Sequence, residues 1–182
     1  MAILQIIQPD NPILRKKAVR VTGFKDARFQ RLIDDMIETM IAAPGVGLAA
    51  PQVAVSQRLI VVRLGDESDE DRAEYGENAG KIFVVANPKI IKQSRAMVDG
   101  VEGCLSLPGL LGEVSRHQEI VVTGQDRHGE DFRLKAQGWL ARVFQHEIDH
   151  LEGVLFIDRT DKIWRSDADD DEEGEFSDAE SA

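Results

Sequence analysis

Gln145-His146-Glu147-Ile148-Asp149-His150-Leu151-Glu152-Gly153 is the stretch around which the rest of the chain is read. Two histidines stand four residues apart, with a glutamate after the first. On an α-helix four residues make about one turn, so both imidazoles leave the same face. With His146 at zero on a helical wheel, His150 falls at about 40° and Glu147 at about 100°. Leu140, Val143, Phe144, Ile148 and Leu151 fall at roughly 60–200° on that wheel. The apolar arc overlaps the histidine–glutamate arc, so these polar groups are expected to point inward. Arg142, Gln145 and Asp149 take the opposite side, from which Asp149 could still support the inward groups.

Inward imidazoles need a partner. The spacing suggests a divalent metal, with Glu147 beside it as a proton carrier. The plain alternative is an amphipathic helix that happens to carry the pattern, so a third ligand has to be sought. The chain has one cysteine, Cys104, in Glu102-Gly103-Cys104-Leu105-Ser106-Leu107-Pro108-Gly109. Three readings stand side by side. The thiol is a small buried hydrophobe, a nucleophile with His146 as base, or the third donor of a metal site. Two imidazoles and a thiolate, with a fourth position left to water, is the pattern of a catalytic site rather than a structural one.

Further upstream, Asp26–Ala43 repeats apolar residues at three and four: Phe29, Leu32, Ile33, Met36, Ile37, Met40 and Ile41. This predicts a helix with one buried stripe, its methionines serving as core, ended by Pro44-Gly45. Gly45-Val46-Gly47-Leu48-Ala49-Ala50-Pro51-Gln52 follows. It lacks the Lys-Ser/Thr and the preceding strand of a phosphate loop. It reads as a loop lining a substrate site, where small residues permit close approach and Gln52 offers a polar donor. A purely structural Gly-Ala turn is the alternative.

Arg58–Leu64 and Ile82–Ile91 are β-rich, the second interrupted by Asn87-Pro88, which predicts an edge or a bulge. Glu119–Arg127 and Glu130–Ala136 flank His128-Gly129 as a hairpin. His117 and His128 read as surface and turn residues. Gly65–Gly80 is polar and reads as a surface loop, and Pro9-Asp10-Asn11-Pro12 as a turn. Strands in the middle with helices at either end predict an α+β domain, mixed and mainly antiparallel around a central helix.

The hydrophobic fraction of 42% over 182 residues suits a single core. Net charge is −11, but nine acids lie in 167–182 with no Lys or Arg, so the body is close to neutral. The expected division is a domain over 1–165 and an acidic, disordered tail over 166–182. There is no basic surface for nucleic acid and no apolar run of membrane length. The first residues lack the features of a signal peptide. With a lone thiol, a cytoplasmic location is expected.

Taken together, Gly45–Gln52, Glu102–Ser106 and Gln145–His150 resemble the three signature motifs of the peptide deformylase family, in the family's order. The likeness includes Ala141-Arg142 and Leu155-Phe156-Ile157-Asp158-Arg159 and extends to about Arg159. It implies removal of the formyl group from N-formylmethionine on new polypeptides. It implies Cys104, His146 and His150 as metal ligands, and Glu147 as acid and base. Gln52 and the Leu105 N–H would form the oxyanion site, and Val46, Gly47 and Gly103 would carry the substrate backbone. The implied metal is Fe2+, with Ni2+, Co2+ or Zn2+ as substitutes, and Glu102 and Arg116 are an implied ion pair bracing the metal loop.

Two features depart from the family. Gly109-Leu110-Leu111-Gly112 is apolar where some members carry an arginine near Leu111. No long amphipathic helix follows the third motif, so the transient ribosome contact of some members is not carried over. A metallopeptidase and a non-catalytic metal- or redox-sensing module are competing classes, and neither accounts for all three motifs.

Overall fold

The computed structural model describes residues 2–65, 72 and 75–166. Of the acidic tail expected over 166–182, residues 167–182 lie outside them, as does half of the expected surface loop at 65–80. Among the described residues there are two α-helices, α1 (Ala27–Ala42) and α2 (Gly138–Leu151). The strands are β1 (Gly47–Ala49), β2 (Leu59–Arg63), β3 (Ile82–Gln93), β4 (Met97–Cys104), β5 (Leu107–His117), β6 (Glu119–Gln125), β7 (Asp131–Gln137) and β8 (Ile163–Arg165). One sheet has the order β1-β2-β3-β6-β7 and the other β4-β5-β8, and every pairing is antiparallel. The α+β expectation holds.

Helix α1 begins where Asp26 accepts a hydrogen bond from the Arg28 N–H at 2.8 Å, an N-cap. Its stripe is buried through Phe29, Ile33, Met36 and Met40 against Leu48, Leu59 and Val61. Both methionines are core, as expected. Ile41 departs from the expected stripe: it is 46% exposed, because the helix ends one residue later.

The break at Asn87-Pro88 is a bulge, not an edge. The register shifts between Ala86 and Lys89 in β3, which lies between β2 and β6. Asn87 adopts φ 52° and its side chain ties Val21 to Gln125, so proline's missing N–H falls at the irregular point. The β6–β7 hairpin turns at His128-Gly129, with Gly129 at φ 88° and Asp126 accepting from the His128 and Glu130 N–H groups. His128 is exposed there, as expected of a turn residue.

The long β4–β5 hairpin is not foreseen by periodicity. Glycines at 100, 103, 109 and 112 weaken the strand pattern. Two of them serve packing instead: a Cβ on Gly112 would lie 2.9 Å from the Phe156 ring, and one on Gly100 2.8 Å from the Arg142 guanidinium.

Helix α2 packs against both sheets and is buried nearly all round. The expectation that Arg142, Gln145 and Asp149 occupy a side apart from the buried one is corrected. All three are buried, because the β4–β5 hairpin covers that side and supplies their partners.

Candidate active site

Three segments meet at one cleft of about 440 Å³. Helix α2 supplies His146, Glu147 and His150; the β4–β5 turn supplies Cys104 and Leu105; β1 and the 3-10 turn Ala50–Val53 supply Gly47 and Gln52. Val46 and Gly103 also line the cleft. His150 lies behind the lining, 1% exposed. Every residue singled out in the sequence therefore converges here.

The Cys104 sulfur, His146 and His150 each offer a donor atom, all within 4.8 Å of one another. Cys104 Sγ lies 3.3 Å from His150 Nε2. Donors about 2.0–2.3 Å from a tetrahedral ion are spaced on the order of 3.5 Å apart, so this set fits a divalent metal with little rearrangement. Two more observations agree. Glu147 Oε2 and His150 Nδ1 are buried without a hydrogen-bond partner among the described residues, which marks the polar interior around the donors. His146 uses Nδ1 on Glu102 at 2.9 Å, which leaves Nε2 as its donor to the site.

Glu102 is the hub beneath the cleft. Its two oxygens accept from Arg116 Nε and Nη2, both at 2.9 Å, from Arg142 Nη1 at 2.8 Å and from His146. Arg116 reaches on to Asp149 at 2.6 Å, and Arg159 grips Asp149 from the surface side. The expected Glu102–Arg116 pair is therefore present. Burial pushes the Glu102 carboxyl up, but Arg116 and His146 outweigh it and bring it to about 2. For His146, burial opposes the charged ring, yet the Cys104 and Glu102 contacts and the Glu147 charge raise it to about 10. Burial, with the His146 and Arg116 charges, holds His150 well below the usual histidine range.

Glu147 has the opposite surroundings. Burial raises it to about 7, with the Glu102 charge adding and His146 and Arg116 opposing. Gly47 makes room for it: a Cβ there would lie 2.8 Å from Glu147 Cδ. The close approach foreseen at this glycine is thus first of all to a side chain of the protein itself. Gln52 is 1% exposed. Its Oε1 accepts from the Ala49 N–H at 2.9 Å, which aims Nε2 at Ser106 Oγ (3.3 Å) and Cys104 Sγ (3.5 Å). The Ser106 contact is long for an N–H···O bond, so that hydrogen can turn to a better acceptor.

Residues not singled out as site residues also contribute. Arg142 and Trp139 line the cleft from α2, and Ser106 touches Gln52. The signal for Arg142 was its place one turn before His146 on the same helix. His117 Nδ1 donates to the Ser94 carbonyl, 2.7 Å away, and takes no part in the cleft.

The family described as Polypeptide deformylase matches residues 3–166. The chain belongs to the polypeptide deformylase family. Its deformylase relatives include one from Symbiobacterium thermophilum, 47% identical over 180 residues, covering 99% of this chain and 77% of that protein. Another, from Thermus thermophilus, is 49% identical over 155 residues, covering 84% and 79%. Among solved structures, the deformylase of Ehrlichia chaffeensis superposes with a TM-score of 0.80 at 39% identity, covering 93% of this chain and 92% of that one. A class I type b deformylase from Acinetobacter baumannii, solved with Met-Ala-Ser bound, gives 0.78 at 34% identity, covering 87% and 99%. Deformylases are hydrolases that remove the N-formyl group from nascent peptides, and this chain is an enzyme of that kind. The cluster of Cys104, His146 and His150 suits a deformylase metal site. Among the described residues, no helix is long and apolar enough to cross a membrane.

Proposed function

We propose that Cys104, His146 and His150 hold one divalent ion, and that Glu147, Gln52 and Leu105 carry out hydrolysis of N-formylmethionyl peptides around it. The observation that carries this reading is a buried Glu147 carboxylate oxygen, without a partner among the described residues, beside three converging donors. When bound, a divalent ion supplies Lewis acidity and brings the pKa of a coordinated water towards about 7. The rest falls to the chain. Glu147 accepts a proton from the attacking water and returns it to the amine nitrogen as the formyl C–N bond breaks. The products are formate and a free α-amine. The Gln52 amide and the Leu105 N–H stabilise the negative carbonyl oxygen, each contributing on the order of 3 kcal/mol.

Substrate geometry follows from the two walls. Val46-Gly47 lies on one side and Gly103 on the other, and both offer backbone to an extended peptide. The methionine side chain enters between them towards Trp139 and Val143 of α2. Leu111 flanks Gly103 from β5, where a Cβ on Gly103 would lie 3.1 Å from Leu111 Cδ2. That wall is uncharged, so backbone pairing and methionine supply most of the selectivity.

Ferrous iron is the metal we favour, on the family likeness and a mixed thiolate–imidazole donor set. It predicts loss of activity in air and protection by nickel substitution, and equal lifetimes of the two forms would count against it. A reducing cytoplasm suits the thiolate.

The test is release of free amine from formyl-Met-Ala-Ser and acetyl-Met-Ala-Ser by protein of known metal content. The formyl peptide should be hydrolysed and the acetyl peptide essentially not. One added methyl is worth about 1–3 kcal/mol in a pocket of ordinary tightness, and acetyl is also the poorer electrophile. Comparable rates, or cleavage after methionine seen by mass spectrometry, would replace this reading with a broader amidase or peptidase.

A further inference from the structure

We propose that Arg142 is a positioning residue for the metal-ligating face of His146, acting through Glu102, and that Gly100 is the seat that admits it. The inference rests on the metal reading above and concerns the network beneath that site. Arg142 and His146 lie one turn apart on the same helix, so both reach the same neighbour. That neighbour is Glu102 on β4, which accepts from Arg142 Nη1 at 2.8 Å and meets His146 Nδ1 at 2.9 Å. The three residues close a ring: helix to carboxylate and back to helix.

Arg116 pairs with Glu102 through Nε and Nη2 and ties it to the last turn of α2 through Asp149. Arg142 adds a second tie, one turn before His146, so the carboxylate is fixed to the helix on both sides of the imidazole. Arg142 is anchored independently, donating through Nη1 to the Val114 and Gly100 carbonyls at 2.8 and 3.3 Å and through Nη2 to the Val98 carbonyl at 2.6 Å. Those carbonyls come from both strands of the β4–β5 hairpin, whose tip carries Cys104. One buried guanidinium thus sets the hairpin and the helix in register, and with them the thiolate and imidazole donors. His146 then keeps its proton on Nδ1 and presents Nε2 to the site.

Gly100 is required for this arrangement. A Cβ at that position would lie 2.8 Å from Arg142 Nη2, 2.9 Å from Cζ and 3.0 Å from Nε. The guanidinium is enclosed by its acceptors and cannot step aside. A lysine in its place offers one point charge and cannot serve Glu102 and three carbonyls in a fixed fork.

The experiment is a double-mutant cycle on Arg142→Lys and Gly100→Ala, reading Ni2+ affinity by chelator competition, Tm, and kcat and KM at saturating metal. Outer partners of a ligating histidine typically contribute 10–100-fold to metal affinity. Each single variant should therefore bind Ni2+ about 10–100-fold more weakly. The double variant should be no weaker than the worse single, because without a guanidinium the alanine methyl has nothing to displace. At saturating Ni2+ the kcat of Gly100→Ala, which lies outside the cleft lining, should return towards the parent value. Unaltered Ni2+ affinity alongside a lowered Tm would show that Arg142 only stabilises the fold and would overturn the proposal. So would losses that multiply in the double variant. If Arg142→Lys does not fold, Gly100→Ala alone decides, since it leaves every charge in place. A parent protein that binds Ni2+ but does not cleave formyl peptides would defeat the proposed function while leaving this cycle readable.

Discussion

Two buried glutamates lie on either side of His146 and are held in opposite states. Glu102, at the hairpin, is surrounded by Arg116, Arg142 and His146 and is held ionised, down to about 2. Glu147, on the cleft side, is pressed against Gly47, has one oxygen without a partner among the described residues, and is raised to about 7. Both are less than 5% exposed, so burial itself does not separate them. Partners do. A carboxylate with every lone pair engaged is a fixed strut, whereas one with a free lone pair and a pKa near neutrality can move a proton. On the proposed mechanism, structure and chemistry are divided between two copies of the same side chain.

The largest expected effect removes what both glutamates serve. Cys104→Ser should lower metal content to near zero under dialysis and abolish turnover. A variant that keeps its metal and its rate would dismiss the ligand assignment. The next variant strikes only the Glu147 side. Gly47→Ala adds a methyl against the Glu147 carboxylate, and kcat should fall by about 10²-fold with metal content unchanged. If KM alone rises, Gly47 acts on the peptide and not through Glu147.

A smaller effect separates the two by pH. The folded pKa of Glu102 is depressed from 4.5 to about 2. Its contribution to stability is therefore complete above pH 4.5 and is lost as pH falls from 4.5 towards 2. It amounts to roughly 3 kcal/mol. Glu147 is raised from 4.5 to about 7, so its contribution has the reverse sign and diminishes as pH rises through that window. Urea titrations should show Glu102→Gln flattening the acid limb, and Glu147→Gln should be no less stable than the parent at pH 7. A parallel acid limb in Glu102→Gln would deny that this carboxylate is the strut. The smallest effect is expected from removal of 167–182. Its composition offers little apolar burial, so Tm and turnover of a formyl tripeptide should barely change. A large fall in either would assign the acidic stretch a role in the domain.

The sequence spoke most clearly where function and local structure share a period. His146, Glu147 and His150 are one helical turn, and the buried stripe of α1 is the same kind of signal. It spoke least where a residue answers to a neighbour distant in the chain. Gly100 and Gly112 look like strand breakers until Arg142 and Phe156 are seen filling the space. Arg142 and Asp149 look like a solvated side of a helix until the hairpin is placed over them. The Asn87-Pro88 bulge was legible as an irregularity, but its place in the middle of a sheet depends on Val21 and Gln125. Three short motifs named the candidate donors, which the fold brings together, while the network around them is a property of packing.

The division of labour is tested most directly by Glu147→Gln and Glu102→Gln side by side, each assayed for bound Ni2+ and for turnover of formyl-Met-Ala-Ser at saturating metal. Glu147→Gln should keep its Ni2+ and lose at least about 10²-fold in kcat. Glu102→Gln should bind Ni2+ about 10–100-fold more weakly and recover much of its rate when metal is saturating. Near-normal turnover in metal-replete Glu147→Gln, or metal loss confined to that variant, would contradict the account.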